Sequence, residues 1–188
     1  MTYLALGDSY TIGEGIPIYE SFPYQTVQLL RAAGLAFHAP EIVAKTGWTT
    51  DELQAAIQST HFLPRYNMVS LCIGVNNQYR GRDAGEYRDQ FTALLQQAIK
   101  MGEQVFVLSI PDWGITPFAN GRDTKAITRE IEGFNAINKA VAETCHVTYI
   151  ENKADARLLA ADQLHPSGAE YAKWAKKLAE KAIPFFKQ

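Results

Sequence analysis

Ser9 stands in Gly7-Asp8-Ser9-Tyr10, directly after the apolar run Tyr3-Leu4-Ala5-Leu6, and Asp162-Gln163-Leu164-His165 lies near the other end of the chain. An acyl-transfer centre needs an exposed hydroxyl, a base within reach, a group that fixes the base's tautomer, and donors for a developing oxyanion. Ser9 supplies the hydroxyl. His165 supplies an imidazole, which changes charge near neutral pH. Asp162, three residues earlier, can accept from the other ring nitrogen if the segment is turn-like, and Pro166 helps hold that segment out of a following helix. The backbone N–H groups of Ser9 and Gly47 and the side-chain amide of Asn76 are candidate oxyanion donors. Gly47 has no side chain to keep a substrate away from its backbone. Singly each piece is weak: Gly-Asp-Ser also makes an ordinary strand-to-helix turn, and Gly47, Gly74, Asn76 and Asn77 are also turn formers. The weight comes from their order along the chain.

That order is set by strand-length apolar runs alternating with helical patterns. Strands are predicted at Tyr3–Leu6, Glu41–Ala44, Met68–Ile73, Val105–Ile110 and Val147–Ile150, three of them nearly continuous in apolar residues, as parallel strands covered on both faces are. Helices are predicted at Phe22–Ala33 with Ser21 as N-cap, from Thr49 with a Thr49/Glu52 capping box, at Ala84–Met101 ending on Gly102 as a C′ glycine, at Thr124–Thr144, and at Ser167–Ile183 with a Ser167/Glu170 box and Pro184 as its stop. The alternation implies a parallel sheet between two helical layers, joined by right-handed crossovers. Ligands of such sheets sit beyond the carboxyl ends of the strands. Gly7-Asp8-Ser9, Lys45-Thr46-Gly47, Gly74-Val75-Asn76-Asn77 and Pro111-Asp112-Trp113 each follow a strand and should meet at one edge. The long irregular stretch 111–123 has the length of a functional loop.

The 188 residues suit one domain, 1–188, large enough to bury a core without staples. Eighteen basic against 20 acidic residues leave a formal charge of −2, which argues against nucleic acid and anionic membrane as partners. Cys72 and Cys145 read as two small buried thiols in strand-like runs, too few for a disulfide framework. No apolar stretch approaches the ~18 residues of a spanning helix. Met1-Thr2 leads straight into the first strand, with no room for a leader. The expected location is the cytoplasm, although a secreted form trimmed of its signal peptide would read the same. Oligomeric state is not legible.

The four blocks together resemble the SGNH hydrolases, or GDSL esterases and lipases: a Gly-Asp-Ser nucleophile turn, a lone Gly after the second strand, Gly-x-Asn-Asp after the third, and Asp-x-x-His near the end. Ser9, Gly47, Gly74/Asn76 and Asp162/His165 occupy these blocks. Tyr10 replaces the motif's leucine, a change expected in packing behind the nucleophile, and Asn77 replaces the usual Asp. The resemblance implies a flavodoxin-like three-layer α/β/α fold with a five-stranded parallel sheet. It implies hydrolysis of a carboxylic ester through an acyl-enzyme on Ser9, with His165 as base and Asp162 as its orienting carboxylate, and no metal or organic cofactor. His38, His61 and His146 are scattered and more in keeping with structural roles.

Short acyl or acetyl esters, acetylated sugars and lysophospholipid-like molecules are the candidate small-molecule substrates. Trp48, Trp113 and Phe118 could wall a pocket, and Asn77, Tyr79 and Arg80 follow the third block as candidate substrate contacts. Two alternatives stand beside hydrolysis: acyl transfer to an alcohol by the same three residues, and a non-enzymatic flavodoxin-like domain cradling a phosphate or flavin on the Ser9–Gly13 turn.

Overall fold

The computed structural model describes residues 1–187. Five parallel strands run in the order β2-β1-β3-β4-β5, with β1 at Tyr3–Asp8, β2 at Glu41–Lys45, β3 at Tyr66–Cys72, β4 at Gly102–Leu108 and β5 at Thr148–Ile150. The register pairs Gly7 with Ala44 on one side and with Cys72 on the other, so β1, β2 and β3 end almost level. All six residues of β1 are buried, which is why its apolar run shows no alternation. The chain reverses its direction of sheet growth between β1 and β3, and this switch point is where open α/β sheets leave a crevice.

Helices α1 (Ser9–Ile12), α2 (Phe22–Ala32), α3 (Thr50–Ser59), α4 (Val75–Tyr79), α5 (Ala84–Met101), α6 (Thr124–Thr144) and α7 (Gly168–Phe186) complete the fold. α2 packs against α7, while α5 packs against both α3 and α6. The flavodoxin-like three-layer arrangement follows. The buried stripe of α5 is Tyr87, Phe91, Leu94, Leu95 and Ala98, and that of α6 includes Ile127, Ile131, Phe134 and Ile137. Both carry the i, i+3, i+4 spacing of an amphipathic helix. Tyr171 and Trp174 on α7 and Phe22 on α2 form one aromatic cluster within the core.

Several local expectations are corrected. Gly102 is not a left-handed C′ residue. Its φ is −114° and it begins β4, and a Cβ there would meet Val69 Cγ2 at 2.7 Å, so close approach to β3 is what requires glycine. Pro184 does not stop α7, which runs to Phe186. In the last turn a proline forfeits a single backbone bond, and Phe185 against Phe106 and Phe186 against Phe37 anchor that turn. Ser21 precedes α2, but its hydroxyl turns back to Ile18 O. At α7 the box is one-sided: Ser167 Oγ accepts from Glu170 N–H at 3.5 Å, while the Glu170 carboxylate meets Lys173 and Trp174 Nε1. The box at Thr49 does close, with Thr49 N–H donating to Glu52 Oε2 at 2.9 Å. Cys145 is the partly buried C-cap of α6 rather than a strand residue.

Candidate active site

Asp8 caps α1, its Oδ1 accepting the Tyr10 N–H at 3.0 Å. The turn between β1 and α1 is tight because Gly7 leaves room: a Cβ there would lie 2.1 Å from Thr11 Oγ1 and 2.4 Å from Cys72 O. Ser9 is thereby set as the first residue of α1, where its N–H has no acceptor within the helix. Its hydroxyl meets the imidazole of the distant C-terminal block, with Ser9 Oγ 2.9 Å from His165 Nε2. The loop that follows folds onto the same residue, with Gly13 and Glu14 N–H both donating to Ser9 O.

His165 is delivered by a tight excursion after β5. Leu159 and Pro166 form an antiparallel bridge, Ala160 N–H donates to His165 O at 2.7 Å, and Gln163 takes φ +59° at the tip. Asp162 organises that tip: Oδ1 accepts from the N–H groups of Leu164 and His165, each at 3.0 Å, and Oδ2 lies 2.6 Å from His165 Nδ1. Burial works against the Asp162 anion, but the His165 ring and these two N–H groups outweigh it and hold the carboxyl below its ordinary value. With Asp162 ionised, Nδ1 carries the proton, and Nε2 is left to accept from the Ser9 hydroxyl. Tyr10 backs the imidazole, its ring centroid 4.9 Å from that of His165, and is stacked in turn on Trp174.

A cavity of about 240 Å³ opens over Ser9 and His165. Gly47, Asn76, Thr46 and Trp113 line it together with Ser9, so all four strand-end blocks meet at one crevice. Gly47 takes φ +85°, a conformation that costs a residue with a Cβ. Asn76 donates one amide proton to Trp48 O at 3.0 Å, and its second N–H is available to the cavity it lines. Gly74 opens α4 at φ +131°, where a Cβ would lie 2.3 Å from Tyr87 Oη.

Of the expected substrate contacts, Tyr79 and Trp113 do line the cavity, with Phe118 and Leu164 beside them. Asn77 does not. It is 1% exposed and tied to α3, accepting from Thr50 N–H at 3.1 Å and donating to Thr50 Oγ1 at 2.7 Å. Asn in place of Asp thus supplies a donor that a carboxylate lacks. Arg80 is also outside the cavity lining. It donates to Gly47 O at 2.6 Å and pairs with Glu52 at 3.3 Å, holding the Gly47 peptide rather than a substrate. Trp48 contributes its carbonyl to Asn76, and its ring is absent from the lining. Tyr10 as a wall beside the imidazole was not foreseen. The one signal for it was the aromatic residue where the resembled motif has leucine.

Fold and site together define a hydrolase of flavodoxin-like α/β architecture, with a hydroxyl, an imidazole and a carboxylate in line at the sheet's switch point. The chain belongs to the GDSL-like lipase/acylhydrolase family, whose model matches residues 5–173, and it is a hydrolase of ester bonds. Among solved structures it is similar to TesA, at 19% identity with 98% of this chain and 99% of that one covered and a TM-score of 0.79. It is similar to Axe2, an acetylxylan esterase from Geobacillus stearothermophilus, at 18% identity, 96% and 93% coverage and a TM-score of 0.76. A third likeness is to LAE5, an alpha/beta hydrolase enzyme from the metagenome of Lake Arreo, at 18% identity, 97% and 95% coverage and a TM-score of 0.72. At these identities the likeness speaks for the fold. No curated protein matches by sequence. Among the described residues, no helix is long and apolar enough to cross a membrane, and no cluster of potential metal ligands occurs.

Proposed function

We propose that the protein is a serine esterase that cleaves small carboxylic esters through an acyl-enzyme on Ser9. The observation that carries this reading is the unbroken line from Asp162 Oδ2 through His165 to Ser9 Oγ, with separations of 2.6 and 2.9 Å. Ser9 Oγ attacks the ester carbonyl carbon as His165 Nε2 takes its proton. The tetrahedral oxyanion is met by the Ser9 and Gly47 N–H groups and the free Asn76 N–H. Collapse breaks the bond to the alkoxy oxygen, and His165 returns the proton to the departing alcohol. Water then repeats the sequence on the acyl-enzyme and releases the acid. Asp162 keeps the imidazole in the productive tautomer and balances the transient imidazolium without taking the proton itself.

The cavity's modest volume and apolar walls of Val75, Tyr79, Trp113, Phe118 and Leu164 support short acyl esters as substrates. The acetylxylan esterase activity in the name of one structural relative makes acetylated sugars a class to include in the trial. The test is turnover of a short p-nitrophenyl ester and an acetyl-sugar panel, with a fluorophosphonate probe mapped to its labelled residue. Ser9→Ala should remain folded, lose turnover and escape labelling. Undiminished hydrolysis by that variant, or a label on another residue, overturns the assignment.

A further inference from the structure

Arg122 lies on the loop beside the cavity but does not line it. Its guanidinium carbon sits 5.1 Å from the ring centroid of Tyr79, 5.4 Å from that of Trp113 and 5.7 Å from that of Phe118, and Nη2 donates to Tyr79 Oη at 3.1 Å. One cation thus serves three rings, all of which face the cavity above Ser9. A guanidinium placed over an aromatic face within ~6 Å is attracted by the ring's quadrupole.

The three rings are not equally fixed by other means. Trp113 is buried, and its Nε1 donates to Gln78 Oε1 at 2.7 Å, with Gln78 in turn donating to Glu130 at 2.7 Å. Tyr79 and Phe118, in contrast, are 46% and 42% exposed. They come from separate segments, Tyr79 from the end of α4 and Phe118 from a 3-10 turn at Pro117–Ala119. Each touches Trp113 at a tilted or edge-on angle, and Arg122 spans all three. With Arg122 in place, the two outer rings are drawn toward the fixed tryptophan and the cavity is kept narrow.

We propose that Arg122 is a clasp on this aromatic wall, a positioning residue that sets how long an ester chain can be accommodated beside Ser9. The inference rests on the esterase reading of the site. Without the clasp, Tyr79 and Phe118 are free to change rotamer, and the cavity lengthens along an apolar surface. Each additional methylene then covered raises kcat/KM by about fourfold.

The experiment compares wild type, Arg122→Ala and Arg122→Lys on p-nitrophenyl esters from acetate to decanoate and on a series of alkyl acetates, so that a wall on either side of the scissile bond is detected. In one of the two series, Arg122→Ala should raise the ratio of long-chain to short-chain kcat/KM by about fifteenfold, the equivalent of two methylenes. The change should fall mainly in KM. Arg122→Lys, which keeps a cation over the rings, should return the ratio toward wild type. Phe118→Ala, which removes one clasped ring directly, should shift the profile in the same direction and serves if Arg122→Ala folds poorly. Unchanged ratios in both series overturn the clasp and leave the esterase reading intact. A wild-type protein inactive on every ester overturns that reading and the clasp with it.

Discussion

Asp8→Asn should make the protein more stable at neutral pH while abolishing a specific part of its pH dependence. Asp8 is 1% exposed; its Oδ1 accepts the Tyr10 N–H, and its Oδ2 is buried with no hydrogen-bond partner. Burial pushes the carboxyl up to about 7, against the Tyr10 hydrogen bond, which favours the anion. In the unfolded chain the group titrates at its ordinary value of 3.8. Between these two values the folded state holds a proton that the unfolded state has released, so stability falls as pH rises through this window and levels off above it. The slope is about 1.4 kcal/mol per pH unit, and the total over roughly three units is about 4 kcal/mol. Asparagine keeps the acceptor for Tyr10, and its amide nitrogen takes the place of the orphaned oxygen. Any penalty for that nitrogen is independent of pH, so it offsets the comparison without tilting it. Urea unfolding of both proteins at intervals between about pH 4 and pH 8 gives the difference directly. The expected result is a difference that grows in favour of the variant up to about pH 7. A difference that stays constant across this range refutes the reasoning, because Asp8 would then ionise in the fold as readily as outside it.

Asn76→Ala should lower kcat by about 10²–10³ if the amide serves the oxyanion; steady-state kinetics on a short ester would show this, and a twofold change would remove Asn76 from that role. Asp162→Asn should reduce kcat by about 10⁴, because the amide no longer demands a proton on Nδ1, while fluorophosphonate labelling slows in parallel. Gly74→Ala should destabilise the fold by about 2–4 kcal/mol in a thermal melt, combining an unfavourable backbone angle with a side chain driven into Tyr87 Oη; a melt matching wild type would show that Tyr87 can withdraw from its bond to Ile73 O.

The strands were legible because β1, β3 and most of β4 are covered on both faces and so appear as nearly continuous apolar runs. Parallel connectivity then sends each following turn to the same edge, which is how Ser9, Gly47 and Asn76 could be placed together from order alone. His165 and Asp162 were legible as a pair, since three residues suffice for a carboxylate to reach back to an imidazole. Loop side chains were not. Asn77 and Arg80 neighbour Asn76 in sequence, but a short helix turns one into the interior against Thr50 and the other toward Gly47 O. Arg122 gave no sign, because its meaning lies in rings supplied by two segments more than thirty residues apart. Gly102 and Pro184 were misjudged for a related reason: tertiary neighbours, Val69 in one case and Phe37 and Phe106 in the other, decided what local preference left open.

The contact between Ser9 and His165 joins residues 156 positions apart, with four of the sheet's five strands between them. During synthesis Ser9 is made well before His165, so the pair cannot meet until the intervening strands have been added. On the esterase reading, the hydroxyl acquires its reactivity only when the turn bearing Asp162 and His165 settles over the finished sheet. On that reading, labelling of Ser9 by an activity-based probe would report a fully assembled molecule, and immature or misfolded chains would stay chemically silent.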